Sequence, residues 1–250
     1  GGYPWRYYVA NSPHNFEDFI DSYYLYWQRL VSNSELKSLM APVWGEVKGV
    51  WTRDIFRDVF RGHSGTLRRP EDFINHSLYF EAKTFLHGLL VVEDKVSMSN
   101  GLESRGPFLD NDVVDFAMGL PASMKLRDFQ TASSVNENDV VSKHARIYGA
   151  SDGKVLLRGV MERFLPAAAI TMRKQGFSAP DASWFRGASI ELVRRVGADP
   201  PANLTGLLDW QVMRHAIDQP LAGHRNRRLL LWSMLNLSES EVLRSRPGAT

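Results

Sequence analysis

One stretch of the chain places ionisable residues on a constrained backbone: Met98-Ser99-Asn100-Gly101-Leu102-Glu103-Ser104-Arg105-Gly106-Pro107-Phe108-Leu109-Asp110. Glu103 and Arg105 are two apart, so they do not share a helical face. Gly106-Pro107 takes the backbone out of the helix, because the residue before a proline is pushed from the α region. Phe108 and Leu109 read as apolar anchors, and Asp110 as the cap of the next helix. A carboxylate and a guanidinium on such a loop serve one of two purposes. They form a buried ion pair that pins the loop, or they belong to a site that handles charge. Farther on, Lys174 lies between Arg173 and Gln175-Gly176, where Gly176 permits a tight turn. The residues alone leave Lys174 open as an ordinary surface lysine.

The elements around these residues read as helices joined by loops, with no convincing alternating strand. A first helix starts near Ser12-Pro13 and carries Phe16, Phe19, Ile20, Tyr23, Tyr24, Trp27, Leu30 and Val31 at helical spacing. Basic residues are not interleaved with that aromatic stripe, so it reads as a core face rather than a stacking surface. A short helix follows Ser34, and another spans Arg53 to Arg61. Arg53, Arg57, Arg61, Arg68 and Arg69 read as a solvated face balanced by Asp54 and Asp58. Pro70-Glu71-Asp72 opens a long helix to about Val92, and Asp110 opens one that ends before Pro121. From 128 to 153 the apolar periodicity fades into a long mobile loop. Lys154 to Leu165 is amphipathic and stops at Pro166. Further helices are expected over Trp184–Val196, Asp209–Asp218 and Arg225–Leu237, with a frayed tail over 238–250.

Composition narrows the class. The 250 residues carry a formal net charge of +2, which calls for neither nucleic acid nor an acidic membrane as partner. The absence of cysteine excludes disulfides and thiolate metal sites and fits a reducing cytoplasm. The longest apolar patch, Leu86 to Val92, is too short to span a membrane. The histidines are scattered, and no His or Asp cluster has metal-ligand spacing.

The run Glu93-Asp94-Lys95-Val96-Ser97-Met98 through Leu102-Glu103-Ser104-Arg105-Gly106-Pro107-Phe108-Leu109-Asp110 resembles the central signature of the glutamine-hydrolysing asparagine synthetases. Two further blocks agree in order. Arg173-Lys174-Gln175-Gly176-Phe177 resembles the family's Lys-Gln-Gly-Phe block, and Gly1-Gly2-Tyr3-Pro4 the end of its Gly-Gly-Tyr loop. The likeness extends to about Leu237. The family's Ser-Gly-Gly-x-Asp-Ser pyrophosphate loop does not occur in these residues, nor does a cysteine nucleophile for glutamine. The expected fold is therefore mainly α: residues 1–237 as the helical C-terminal part of an α/β, ATP pyrophosphatase-like synthetase domain.

The resemblance implies a two-step reaction. Aspartate's side-chain carboxylate attacks the α-phosphorus of ATP, pyrophosphate leaves, and glutamine-derived ammonia displaces AMP from β-aspartyl-AMP. Lys174 matches the family lysine that contacts phosphate, with Arg173 and Gly176 beside it. Asp94 and Glu103 fall in the site region as candidate catalytic carboxylates, with the one that transfers the proton left open, and Arg105 falls near substrate. Many family members carry paired aspartates where this chain has His87-Gly88, which leaves Glu93, Asp94 and Glu103 as the nearby carboxylates. Mg²⁺ would arrive with ATP, held mainly by phosphates and by the part of the enzyme that carries the pyrophosphate loop. An N-terminal glutaminase domain is the implied partner, and a homodimer is left open. Two alternatives stand beside this: another amidoligase on the same scaffold, such as a β-lactam synthetase or macrolactam cyclase, and a helical interaction protein without catalysis.

Overall fold

The structure, a computed structural model, describes residues 15–28, 30–63, 67–127, 153–172, 190–199, 202–221 and 227–244. Along them run α1 (Phe16–Trp27), α2 (Asn33–Leu39), α3 (Trp44–Val47), α4 (Thr52–Asp58), α5 (Pro70–Glu81), α6 (His87–Ser99), α7 (Asn111–Gly119), α8 (Ala122–Lys125), α9 (Val155–Met161), α10 (Ala167–Thr171), α11 (Ile190–Ala198), α12 (Ala202–Thr205), α13 (Trp210–Leu221) and α14 (Arg228–Arg244). No strand occurs among the described residues beyond one isolated bridge, Leu126 to Gly153. None of their helices is long and apolar enough to cross a membrane. The mainly α expectation holds. The described residues form two compact units, the first drawn from 15–26 and 52–172, the second from 27–51 and 190–244.

The first unit is held by aromatic packing. The stripe on α1 is a core face, with Phe19, Ile20 and Tyr23 fully buried. It meets Phe56 and Phe60 from α4 and the turn after it, and Phe73 and Phe80 from α5. The Phe56 and Phe80 ring centroids lie 4.4 Å apart, and Phe19 stacks on Tyr23 at 5.4 Å. Such ring pairs add to the area they bury, so this cluster is the main anchor of the unit. Arg53 ties α4 to α1 through Glu17 at 2.8 Å and through Asp21. This corrects the solvated-face reading at that position: the partners of Arg53 come from the neighbouring helix, with Asp54 only at 4.0 Å, and its side chain is largely buried. Arg61 does pair with Asp58 as expected.

α5 and α6 form one continuous helical rod joined by a π segment, Ala82–Leu86. The rod outruns the expected end at Val92 by reaching Ser99. Its first half packs through Phe73, Ile74, Ser77 and Phe80; its second half buries nothing.

The second unit packs α11, α13 and α14 around Val193, Met213, Ile217, Leu230, Leu231 and Met234, with Leu39 of α2 and Leu204 of α12. Asp209 caps α13 by accepting from the Gln211 and Val212 amides. Glu35 accepts from the Ser32 amide and hydroxyl and pairs with Arg227. That pairing draws the Glu35 carboxyl down to about 2, against partial burial that pushes it up. α14 continues to Arg244, with Ser238 buried, so the ordered chain extends into the stretch expected as tail. Most of the expected mobile loop, the Ser12-Pro13 helix start and the Gly1-Gly2-Tyr3-Pro4 block lie outside the described residues.

Candidate active site

Three of the six candidate site residues, Asp94, Glu103 and Arg105, lie on α6 and the loop after it. The loop is built by local chemistry. α6 is followed by Asn100 and then Gly101, whose φ of +69° is a left-handed position that glycine takes without steric cost. The Leu102 amide reaches back to the Ser97 carbonyl and the Gly101 amide to the Met98 carbonyl, both at 3.0 Å. These two bonds satisfy carbonyls at the helix end and aim the chain away from the helix axis. At Gly106 a Cβ would sit 2.9 Å from Leu109 Cδ1, the tip of an exposed side chain that can turn aside. Pro107–Leu109 makes one 3₁₀ turn. Asp110 then caps α7, its Oδ1 accepting from Asp112 N at 3.0 Å and Val113 N at 3.4 Å, as the sequence predicts.

Glu103 and Arg105 meet on this loop at 2.9 Å, but their side chains are 68% and 81% exposed. The buried-pair alternative is therefore corrected. The turn at Gly101 carries the loop off the aromatic core, and the expected anchors do not reach it: Phe108 is 67% exposed. Glu93 projects from the last turns of α6 and accepts from Ser104 Oγ at 3.4 Å, which links the helix to the loop. Asp94 follows it and makes no side-chain hydrogen bond or ion pair to another described residue. Four charges, Glu93, Asp94, Glu103 and Arg105, thus share one end of α6, exposed and contributing little to the fold. The Glu93–Ser104 link was missed from sequence; an eleven-residue separation across a turn has no local signature.

Arg173, Lys174 and Gly176 lie outside the described residues. Among those described, no group of three or more His, Asp or Glu side chains could hold a metal ion. An open groove of about 570 Å³ lies elsewhere in the first unit, lined by Met124, Leu156, Val160 and Phe164 with Arg163 its one charged side chain. With no carboxylate it has no means of proton transfer, so the exposed charges at the end of α6 are the better candidate.

The sequence model of the asparagine synthase family matches residues 1–243. A Mycobacterium bovis protein provisionally named a glutamine-hydrolysing asparagine synthetase is 28% identical over 188 residues, 74% of this chain and 24% of that protein. Asparagine synthetase [glutamine-hydrolyzing] 1 of Bacillus subtilis is 30% identical over 142 residues, 56% of this chain and 19% of that protein. Amidase chry2 of Gibberella zeae is 25% identical over 177 residues, 70% of this chain and 24% of that protein. The chain thus spans about a quarter of the length of the curated relatives it matches. No solved structure matches it significantly.

Proposed function

The chain belongs to the asparagine synthase family, and from that premise we propose that it supplies the helical part of an ATP-dependent amidoligase that converts aspartate to asparagine. The observation that carries the proposal is the set of charges at the end of α6. Glu93 and Asp94 on α6, and Glu103 and Arg105 on the loop after it, are exposed, and that loop is held in shape by Gly101 and Asp110. A shaped backbone carrying charges the fold does not need suits a site for charged substrates.

The division of labour follows from the chemistry. Adenylation requires cations against a phosphorus gaining negative charge and a departing pyrophosphate. Lys174 is assigned that task by its place in the Arg173-Lys174-Gln175-Gly176 block. Ammonia attack then needs a carboxylate to accept a proton. Asp94 and Glu103 are assigned there, with Arg105 orienting Glu103 at 2.9 Å. Glutamine as nitrogen source is carried over from the names of the synthetase relatives.

The amidase-named relative supports a second reading, an amide-forming or amide-processing enzyme with a different acceptor on this scaffold. A panel of carboxylate acceptors offered to the complete gene product with ATP, Mg²⁺ and ammonia separates the two. Pyrophosphate release that depends on aspartate supports asparagine synthesis. Release that depends on another acid moves the assignment to a sister amidoligase, and no release with any acid refutes both.

A further inference from the structure

We propose that Arg158 is a positioning residue for adenylation: by gripping two main-chain carbonyls it fixes the point at which the chain leaves α10 for the Arg173-Lys174-Gln175-Gly176 block. Its effect on the reaction rests on the assignment of Lys174 above; the grip itself does not.

Arg158 lies on α9 and is half-buried. Its Nε–H donates to the Gly153 carbonyl at 3.2 Å, and its Nη1–H donates to the Ile170 carbonyl. These partners are neutral backbone groups, one before α9 and one in α10, rather than a carboxylate. A planar guanidinium aimed at two carbonyls fixes their relative position, because its N–H groups point in set directions.

Both carbonyls sit at junctions. Gly153 is buried and bridges Leu126, which is 1% exposed and packs with Ile74 and Ala122. Between Gly153 and α9 stands Lys154 at φ +60°, the one non-glycine residue with positive φ among the described residues. A side chain keeps that conformation only where its surroundings hold it. Arg158 supplies two of the holding contacts: its amide donates to the Lys154 carbonyl at 2.9 Å, and its side chain takes the carbonyl before it. Ile170 is in the last turn of α10, where carbonyls lack a partner within the helix and a cation is favoured.

The consequence for the site follows from chain length. Lys174 is four residues beyond Ile170, so the two Cα atoms lie within about 14 Å whatever path the chain takes. Freeing the end of α10 frees the start of the block relative to the core that holds Gly153. A misplacement of ~1 Å at a transition-state contact costs on the order of 10²-fold in rate.

The test uses the complete gene product with aspartate, ATP, Mg²⁺ and ammonia, and reads pyrophosphate release per folded enzyme. Arg158→Met is expected to lower kcat at least tenfold, with KM for ATP and for aspartate within twofold of wild type. Arg158→Lys, which keeps the charge but not the planar fork, is expected to lower kcat at least threefold. In a Lys174→Ala background either substitution is expected to reduce the residual rate less than twofold, because the group being positioned is gone. A merely structural Arg158 gives another pattern: a lower melting temperature with kcat per folded enzyme unchanged, or losses that multiply with that of Lys174→Ala. Either overturns the proposal. Should Arg158→Met not fold, Arg158→Lys carries the same comparison, and a wild-type kcat from it overturns the proposal. An absence of pyrophosphate release from the wild type with any acid refutes the functional reading and this proposal with it. Release by the wild type that the variants match refutes this proposal alone.

Discussion

Glu103 and Arg105 show how little a close contact says about stability when water surrounds it. Their 2.9 Å approach is screened on almost every side. Glu103→Gln and Arg105→Met are therefore expected to change folding free energy by under ~1 kcal/mol each, with a coupling no larger, in a double-mutant cycle by chemical denaturation. A coupling of ~3–5 kcal/mol would mean that the pair is buried. Lys174→Ala is expected to lower adenylation in the complete enzyme on the order of 10²–10³ without moving the melting temperature, as for loss of one transition-state contact. Wild-type turnover would remove Lys174 from the site. Glu35 behaves differently. Its carboxyl falls from the ordinary 4.5 to about 2 through Arg227, so it is ionised more readily folded than unfolded. The pair stabilises the second unit above about pH 5, and that contribution is lost as pH falls towards 2, roughly 1–3 kcal/mol in all. Arg227→Met should flatten the acid limb of a denaturation series across that window; an unchanged limb would show that the pair contributes nothing. Sequence spacing located Glu103 and Arg105 but not their exposure, which depends on what covers the loop. The Glu35–Arg227 pair spans 192 positions and leaves no local trace.

The rod formed by α5 and α6 makes the division between core and surface testable within one element. Ile74 is fully buried, whereas Val92 is 62% exposed. Ile74→Glu places an unpaired charge in the core and is expected to cost ~3 kcal/mol or more, while Val92→Glu should stay within ~0.5 kcal/mol in the isolated chain. Similar losses from both, by urea denaturation, would show that α6 is packed. Local signals were readable here: Pro70 at the helix start, Asp110 as a cap, the Phe19-Ile20-Tyr23 stripe as a core face. The π segment at Ala82–Leu86 and the extension to Ser99 were not, because Leu86 to Val92 is apolar without the one-sided period that marks an outer helix. The same run of residues is what leaves α6 exposed in this chain.

At the scale of the molecule, the mainly α class and the candidate site on the 93–110 segment were legible because helix periodicity and the ordered blocks of residues are both local properties. The split into two units was not, since it depends on contacts between Leu39 and residues beyond 190. The central claim is that the complete enzyme containing this chain activates a carboxylate as its adenylate. When ammonia displaces AMP, the bond to the acyl carbon breaks, and one oxygen of the substrate carboxylate leaves with the phosphate. The most direct measurement therefore supplies aspartate labelled with ¹⁸O in its side-chain carboxylate, with ATP, Mg²⁺ and ammonia, and weighs the products. The predicted result is asparagine and pyrophosphate in equal amounts, with one ¹⁸O in each AMP. Unlabelled AMP, or ADP and phosphate in its place, would contradict the account.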